Sequence, residues 1–207
     1  MNPKITIYSD GAASPNPGYG GWGCVILTSK RRKELSGSKL KATNNQMEMM
    51  GALRALQALT KPCDVTLYTD SRYLCDAFQK NWFKNWKRNN WKTSKGSPVL
   101  NKDLWEELLV ENERHKVSWN WVRGHSDNEE NNCCDELAVN ARIMLKNETE
   151  KTNPPKTKPK KKAKKTKPEK SADTVLHMNM LMEKLNDKQK KAAFKLFNVY
   201  WEDELRD

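Results

Sequence analysis

Residues 4–10 (KITIYSD) alternate β-branched or aromatic side chains with polar ones, the period of a half-buried strand. The glycines and prolines of GAASPNPGYGG, which follow, predict a loop that closes this strand at Asp10. WGCVIL (22–27) reads as a second strand and KELSGSKL (33–40) as a third, and their short links predict antiparallel pairing. At 43–48 the period changes. Thr43 or Asn44 caps a helix whose apolar positions Met47, Met50, Leu53, Leu56 and Leu59 recur at helical spacing, with Glu48 in its first turn. DVTLYTD (64–70) reads as the central strand, with Ser71 capping a helix through Tyr73, Leu74, Ala77 and Phe78. That strand-helix-strand order predicts a parallel pair.

Further helices are predicted over 103–115 and 128–145, separated by a cleanly alternating strand, VSWNWV (117–122). The order β-β-β-α-β-α…α-β-α describes an α/β layer with a mixed sheet. From 149 to 170 almost no apolar residue offsets the entropy of ordering, which predicts a disordered linker. A helical pattern returns over 172–205 and breaks near Asn186 and Asp187, as in a helical hairpin. The expected division is a domain over 1–147, a linker over 148–171 and a helical extension over 172–207.

Composition narrows the function classes. No run among the 207 residues approaches the roughly 18 apolar positions of a membrane span, and MNPKITIYSD lacks the apolar core of a signal peptide. An intracellular protein, cytoplasmic or nuclear, is expected, with no membrane partner. Five cysteines, odd in number and without metal-ligand spacing, predict free thiols in a reducing compartment. The formal charge is +12, and residues 151–170 alone hold ten lysines and one glutamate. KPKKKAKKTK therefore reads as a nuclear localisation signal or as a polycationic tether for nucleic acid, two compatible roles. The near-neutral extension, with Phe194, Phe197, Tyr200 and Trp201 close together, suggests a surface for a protein partner or for contact with the chain itself.

Candidate chemistry lies in four carboxylates. Asp10 and Asp70 end their strands, and Glu48 and Asp135 stand at helix starts. If the first and fourth strands are neighbours, the four converge at one sheet end. They would then repel one another unless a hard divalent cation, which takes oxygen ligands, stood between them. Spacing alone leaves a second reading open, because acidic groups at strand ends and helix N-termini are also common caps and dipole partners.

The strings YSDGAASPNPGYGGWG, TNNQMEMMGALRAL, LYTDSRYL and WVRGHSDNEENNCCDELA, with NWFKNWKRNNWKTSKGSPVLNKDLW between them, resemble ribonuclease H of type 1 over about residues 4–145. The resemblance implies a five-stranded mixed sheet flanked by helices, and metal-dependent endonucleolytic hydrolysis of the RNA strand of RNA–DNA hybrids. It implies two Mg²⁺ ions, with Mn²⁺ a substitute, held by Asp10, Glu48, Asp70 and Asp135, and products ending in 5′-phosphate and 3′-hydroxyl. His125 matches a loop histidine assigned to proton transfer or product release.

By the same resemblance Asn16, Asn45 and Glu48 contact ribose hydroxyls, and Thr43 and Asn44 form a pocket for a DNA-strand phosphate. Residues 82–95 match a basic protrusion: Lys84, Lys87, Arg88, Lys92 and Lys95 reach phosphates, and one aromatic among Trp82, Trp86 and Trp91 stacks on nucleic acid while the others pack. Arg72 stands where glutamine is common, trading a neutral contact for a phosphate-seeking one. Asp127 and Glu129 replace the commoner glycine and proline after His125, adding negative charge to that loop. The competing function is a non-catalytic hybrid-binding protein, which would have no need of four carboxylates that repel phosphate. The catalytic domain is expected to be monomeric.

Overall fold

The computed structural model describes residues 2–152; the linker from 153 onward and the predicted hairpin lie outside the described residues. Strands β1 (Lys4–Ser14), β2 (Gly18–Leu27) and β3 (Arg32–Ala42) form the antiparallel meander. Helix α1 (Asn44–Gln57) leads to β4 (Asp64–Thr69), which lies parallel to β1 with Ile5 opposite Val65 and Tyr8 opposite Tyr68. After α2 (Arg72–Gln79), α3 (Trp82–Arg88) and α4 (Lys102–Arg114), strand β5 (Lys116–Trp121) adds parallel to β4, and α5 (Glu129–Thr152) follows. The sheet order β3-β2-β1-β4-β5 makes β1, rather than β4, the central strand. Among the described residues no helix is long and apolar enough to cross a membrane.

The glycine-rich segment corrects the first expectation. Instead of stopping at Asp10, β1 continues to Ser14, and β2 already begins at Gly18. Asp10 therefore sits inside a strand, paired with Gly23. The glycines there serve close approach. A Cβ on Gly11 would overlap the backbone of Met47 and Glu48, and Cβ atoms on Gly21 and Gly23 would overlap Ala138 and Cys134 of α5. Without those atoms α1 and α5 settle directly onto the central strands, one on each face.

Thr43 caps α1 in a full capping box: its side chain accepts the Gln46 N–H, and the Gln46 side chain accepts the Thr43 N–H. Glu48 stands one turn further in than expected, since no acidic residue occupies the first turn. Ser71 precedes α2 without a side-chain cap. Helix α3 was not expected from sequence. Its seven residues are held by aromatic packing, with Phe83 buried and ring centroids 5.4 Å apart for Phe83–Trp105 and 5.7 Å for Trp86–Trp105. Helix α5 runs to Thr152, so residues 148–152, assigned from sequence to the linker, are helical.

The core lies between the sheet and α1, α2 and α4, where Ile7, Leu53, Leu56, Leu67, Leu74, Trp105 and Leu108 are fully buried. Four of the five cysteines are buried and all are free thiols. Replacing Gly11 by alanine should cost about 2–3 kcal/mol through overpacking, read from urea denaturation. Gly96, at φ +82° with open space around it, should cost less, about 1 kcal/mol. A Gly11→Ala protein as stable as the parent would refute the close-approach reading.

Candidate active site

Side-chain alternation puts Tyr8 and Asp10 on one face of β1, and Tyr68 and Asp70 on the same face at the end of β4. The two tyrosine rings stack at 4.9 Å, and two residues further along each chain the carboxylates stand side by side. Glu48 arrives from α1 over Gly11, where a side chain would block it. One carboxylate oxygen from each of Asp10, Glu48 and Asp70 lies within 4.8 Å of the others. Asp135, in the second turn of α5, lies outside this tight group but close enough to raise the proton affinity of all three.

Burial dominates the electrostatics. Desolvation first, then the charge on Asp70, pushes the Asp10 carboxyl up to about 7, although its oxygen accepts the Gly11 N–H at 2.6 Å. Glu48 is pushed well above the ordinary carboxylate range by desolvation and then by Asp10 and Asp70. Asp70 is raised less. Desolvation acts on it as well, but the backbone, the nearby His125 and the Asn131 amide work the other way.

Among the described residues, Glu48 Oε2 and Asp70 Oδ1 are buried with no hydrogen-bond donor. Oxygen-only groups that are desolvated, crowded and without donors fit a hard divalent cation.

Around this group the sequence-derived residues fall into four sets. His125, in a left-handed conformation at φ 49°, is exposed and places Nδ1 3.6 Å from Asp135 Oδ2. Asn16, Thr43 and Asn44 meet where the β1–β2 turn touches the start of α1: Asn44 Oδ1 accepts the Ala13 N–H at 2.7 Å, and Asn16 Oδ1 accepts the Asn44 N–H at 3.3 Å. Asn45 is exposed beside them.

On the protrusion Lys84, Lys87, Arg88 and Lys92 are exposed. Trp82, Trp86 and Trp91 are partly buried against the core, with centroids 5.8 Å apart for Trp82–Trp86 and 6.0 Å for Trp86–Trp91. Arg72 is exposed, lying over the Trp121 ring.

Three contributors escaped the sequence reading. Asn131 is fully buried and supports Asp70, yet in NEENN nothing separates it from solvated neighbours. Trp121 Nε1–H donates to the Asp70 carbonyl at 2.9 Å. Gly124 leaves the space that the Asp70 carboxylate occupies.

The raised proton affinities have a stability consequence. A carboxyl near 4 when unfolded and near 7 when folded favours the fold fully below the lower value, and that contribution is lost as pH rises through the higher. In EDTA, Asp10→Asn should therefore melt above the parent at pH 8, by about 2–8 °C for 1–2 kcal/mol of relieved repulsion, with a smaller gap at pH 5. Mg²⁺ should raise the parent's melting temperature and leave the variant nearly unmoved. A variant that melts below the parent at pH 8 would contradict the account.

The RNase H family model matches residues 2–143. A ribonuclease H of Moorella thermoacetica is 53% identical over 143 residues, covering 69% of this chain and 94% of that protein. One of Chlorobaculum parvum is 50% identical over 149 residues, covering 72% of this chain and all of the relative. Among solved structures, LC9-RNase H1, a type 1 RNase H with the type 2 active-site motif, superposes with TM-score 0.63 at 26% identity, covering 70% of this chain and 74% of that one. LC11-RNase H1 in complex with RNA/DNA hybrid gives TM-score 0.54 at 25% identity, over 68% of this chain and 98% of the other. With the family model matching residues 2–143 and ribonucleases H about half identical over most of their own length, the chain belongs to the ribonuclease H family of nucleases.

Proposed function

We propose that the chain is an endoribonuclease that hydrolyses the RNA strand of RNA–DNA hybrids, leaving 5′-phosphate and 3′-hydroxyl ends. The observation that carries this reading is the crowded trio Asp10, Glu48 and Asp70, with two buried oxygens that no donor reaches. In this reading Asp10, Glu48, Asp70 and Asp135 hold a pair of divalent ions, Mg²⁺ by preference with Mn²⁺ a substitute. Bound there, such ions supply Lewis acidity to the attacking water and to the departing oxygen of an in-line displacement.

The remaining roles belong to side chains. His125 rests Nδ1 beside Asp135, which leaves its Nε2 to give a proton to the departing oxygen or to draw product away. Thr43 already accepts the Gln46 N–H, so its hydroxyl hydrogen stays available for a DNA-strand phosphate. The Asn44 carbonyl oxygen is taken by Ala13, which leaves its NH₂ for the same phosphate. Asn16 and Asn45 read ribose 2′-hydroxyls across the minor groove, the group that separates RNA from DNA. Lys84, Lys87, Arg88 and Lys92 follow the DNA backbone, and Trp82 or Trp91 offers an edge for stacking. The lysine-rich stretch is proposed as a tether, with the extension beyond it as a separate module.

Cleavage of a labelled hybrid, with single-stranded RNA, duplex RNA and duplex DNA as controls, tests the activity. Mg²⁺ or Mn²⁺ should support cutting of the hybrid's RNA alone, and EDTA should stop it. Asp70→Asn should lower turnover by about 10³-fold or more, roughly 4 kcal/mol of barrier, while still binding hybrid. Near-normal turnover in that variant would reject the site assignment. Truncation after residue 152 should keep turnover but weaken hybrid binding most at low salt and flatten its salt dependence, about 0.7–0.9 in log–log slope per lost phosphate contact. An unchanged slope would reject the tether.

A further inference from the structure

Arg72 opens α2 two residues after Asp70, and no ion pair or hydrogen bond engages its side chain among the described residues. Its Cζ instead lies 3.6 Å from the centroid of the Trp121 ring. Trp121 is the last residue of β5 and 37% exposed, and its Nε1–H is tied to the Asp70 carbonyl. Indole is the strongest aromatic partner for a cation, and a guanidinium that lies flat on it keeps its N–H edge directed outward. The ring thus holds the guanidinium and, through its indole N–H, links it to the backbone of Asp70. A planar fork of free donors matches two oxygens of one phosphate.

We propose that Arg72, held by Trp121, grips a phosphate of the RNA strand next to the one being cut. Trp121 is a positioning residue that sets this grip relative to Asp70. The proposal rests on the hybrid-cleavage reading and deepens it. A charge that served only to balance the acids would pair with them; Arg72 lies over Trp121 instead.

Hybrid binding by the full chain in Ca²⁺, across a salt series, tests the idea. Arg72→Gln should weaken binding by about 5–20-fold and reduce the log–log salt slope by about 0.7–0.9, one phosphate contact. Arg72→Lys should keep the slope but lose much of the affinity, because an ammonium neither stacks flat nor forks. Trp121→Leu should weaken binding although Arg72 is present, and the double variant should bind no worse than Arg72→Gln alone. A neutral methylphosphonate beside the cleavage position in the RNA strand should weaken the parent and leave Arg72→Gln unaffected.

An Arg72→Gln protein with the parent's affinity and slope would overturn the proposal, as would strictly additive losses in the double variant. Trp121→Phe, which keeps a ring, replaces Trp121→Leu in the cycle if the latter fails to fold, and should show the same coupling in weaker form. If the parent neither binds nor cuts hybrid, the functional reading fails instead.

Discussion

The mutual repulsion of three crowded, partly desolvated carboxylates is the constraint on which this structure turns. One oxygen from each of Asp10, Glu48 and Asp70 shares a space less than 5 Å across; Asp10 is buried, and Glu48 and Asp70 each bury an oxygen that no donor reaches. Left to themselves, such groups would hold protons or move apart. The fold prevents separation by placing them on its stiffest parts: a central strand, the end of its parallel neighbour and a helix laid directly on the sheet. Positive charge brought from outside the protein would relieve the resulting repulsion.

Backbone contact rather than side-chain packing brings the pieces this close. Gly11 lets α1 touch β1, and Gly21 and Gly23 let α5 touch β2, so Glu48 and Asp135 reach opposite flanks of the same strand end. A second layer then fixes Asp70: Asn131 at its side chain, Gly124 against its carboxylate and Trp121 at its carbonyl. Those three come from β5, the loop after it and α5, so the last third of the described chain supports a site whose principal groups come from the first half.

Much of this was legible in the sequence. Every long element with a clear period was recovered, and the acids were expected at one sheet end on the condition, met by the pairing of β1 with β4, that the first and fourth strands are neighbours. The failures share one physical cause. Glycine and proline between strands normally signal a turn, but at Gly11, Gly21 and Gly23 the missing Cβ admits a helix and the strand continues through. Helix α3 forms because aromatic rings pack on Trp105, a tertiary effect that its seven residues do not announce. Asn131, Trp121 and Gly124 act through neighbours distant in sequence, so local pattern carries no trace of their roles. The Arg72 departure was visible, but the ring that gives it direction was not.

If the carboxylates are crowded and partly protonated until a cation arrives, binding that cation must expel protons. Calorimetric titration of Mg²⁺ into the full chain at pH 7, repeated in two buffers of different ionisation enthalpy, measures that release directly. The account predicts net proton release on binding, reduced in Asp10→Asn, whose amide at residue 10 has no proton to give. Binding with no proton exchange, or with the same exchange in that variant, would contradict it.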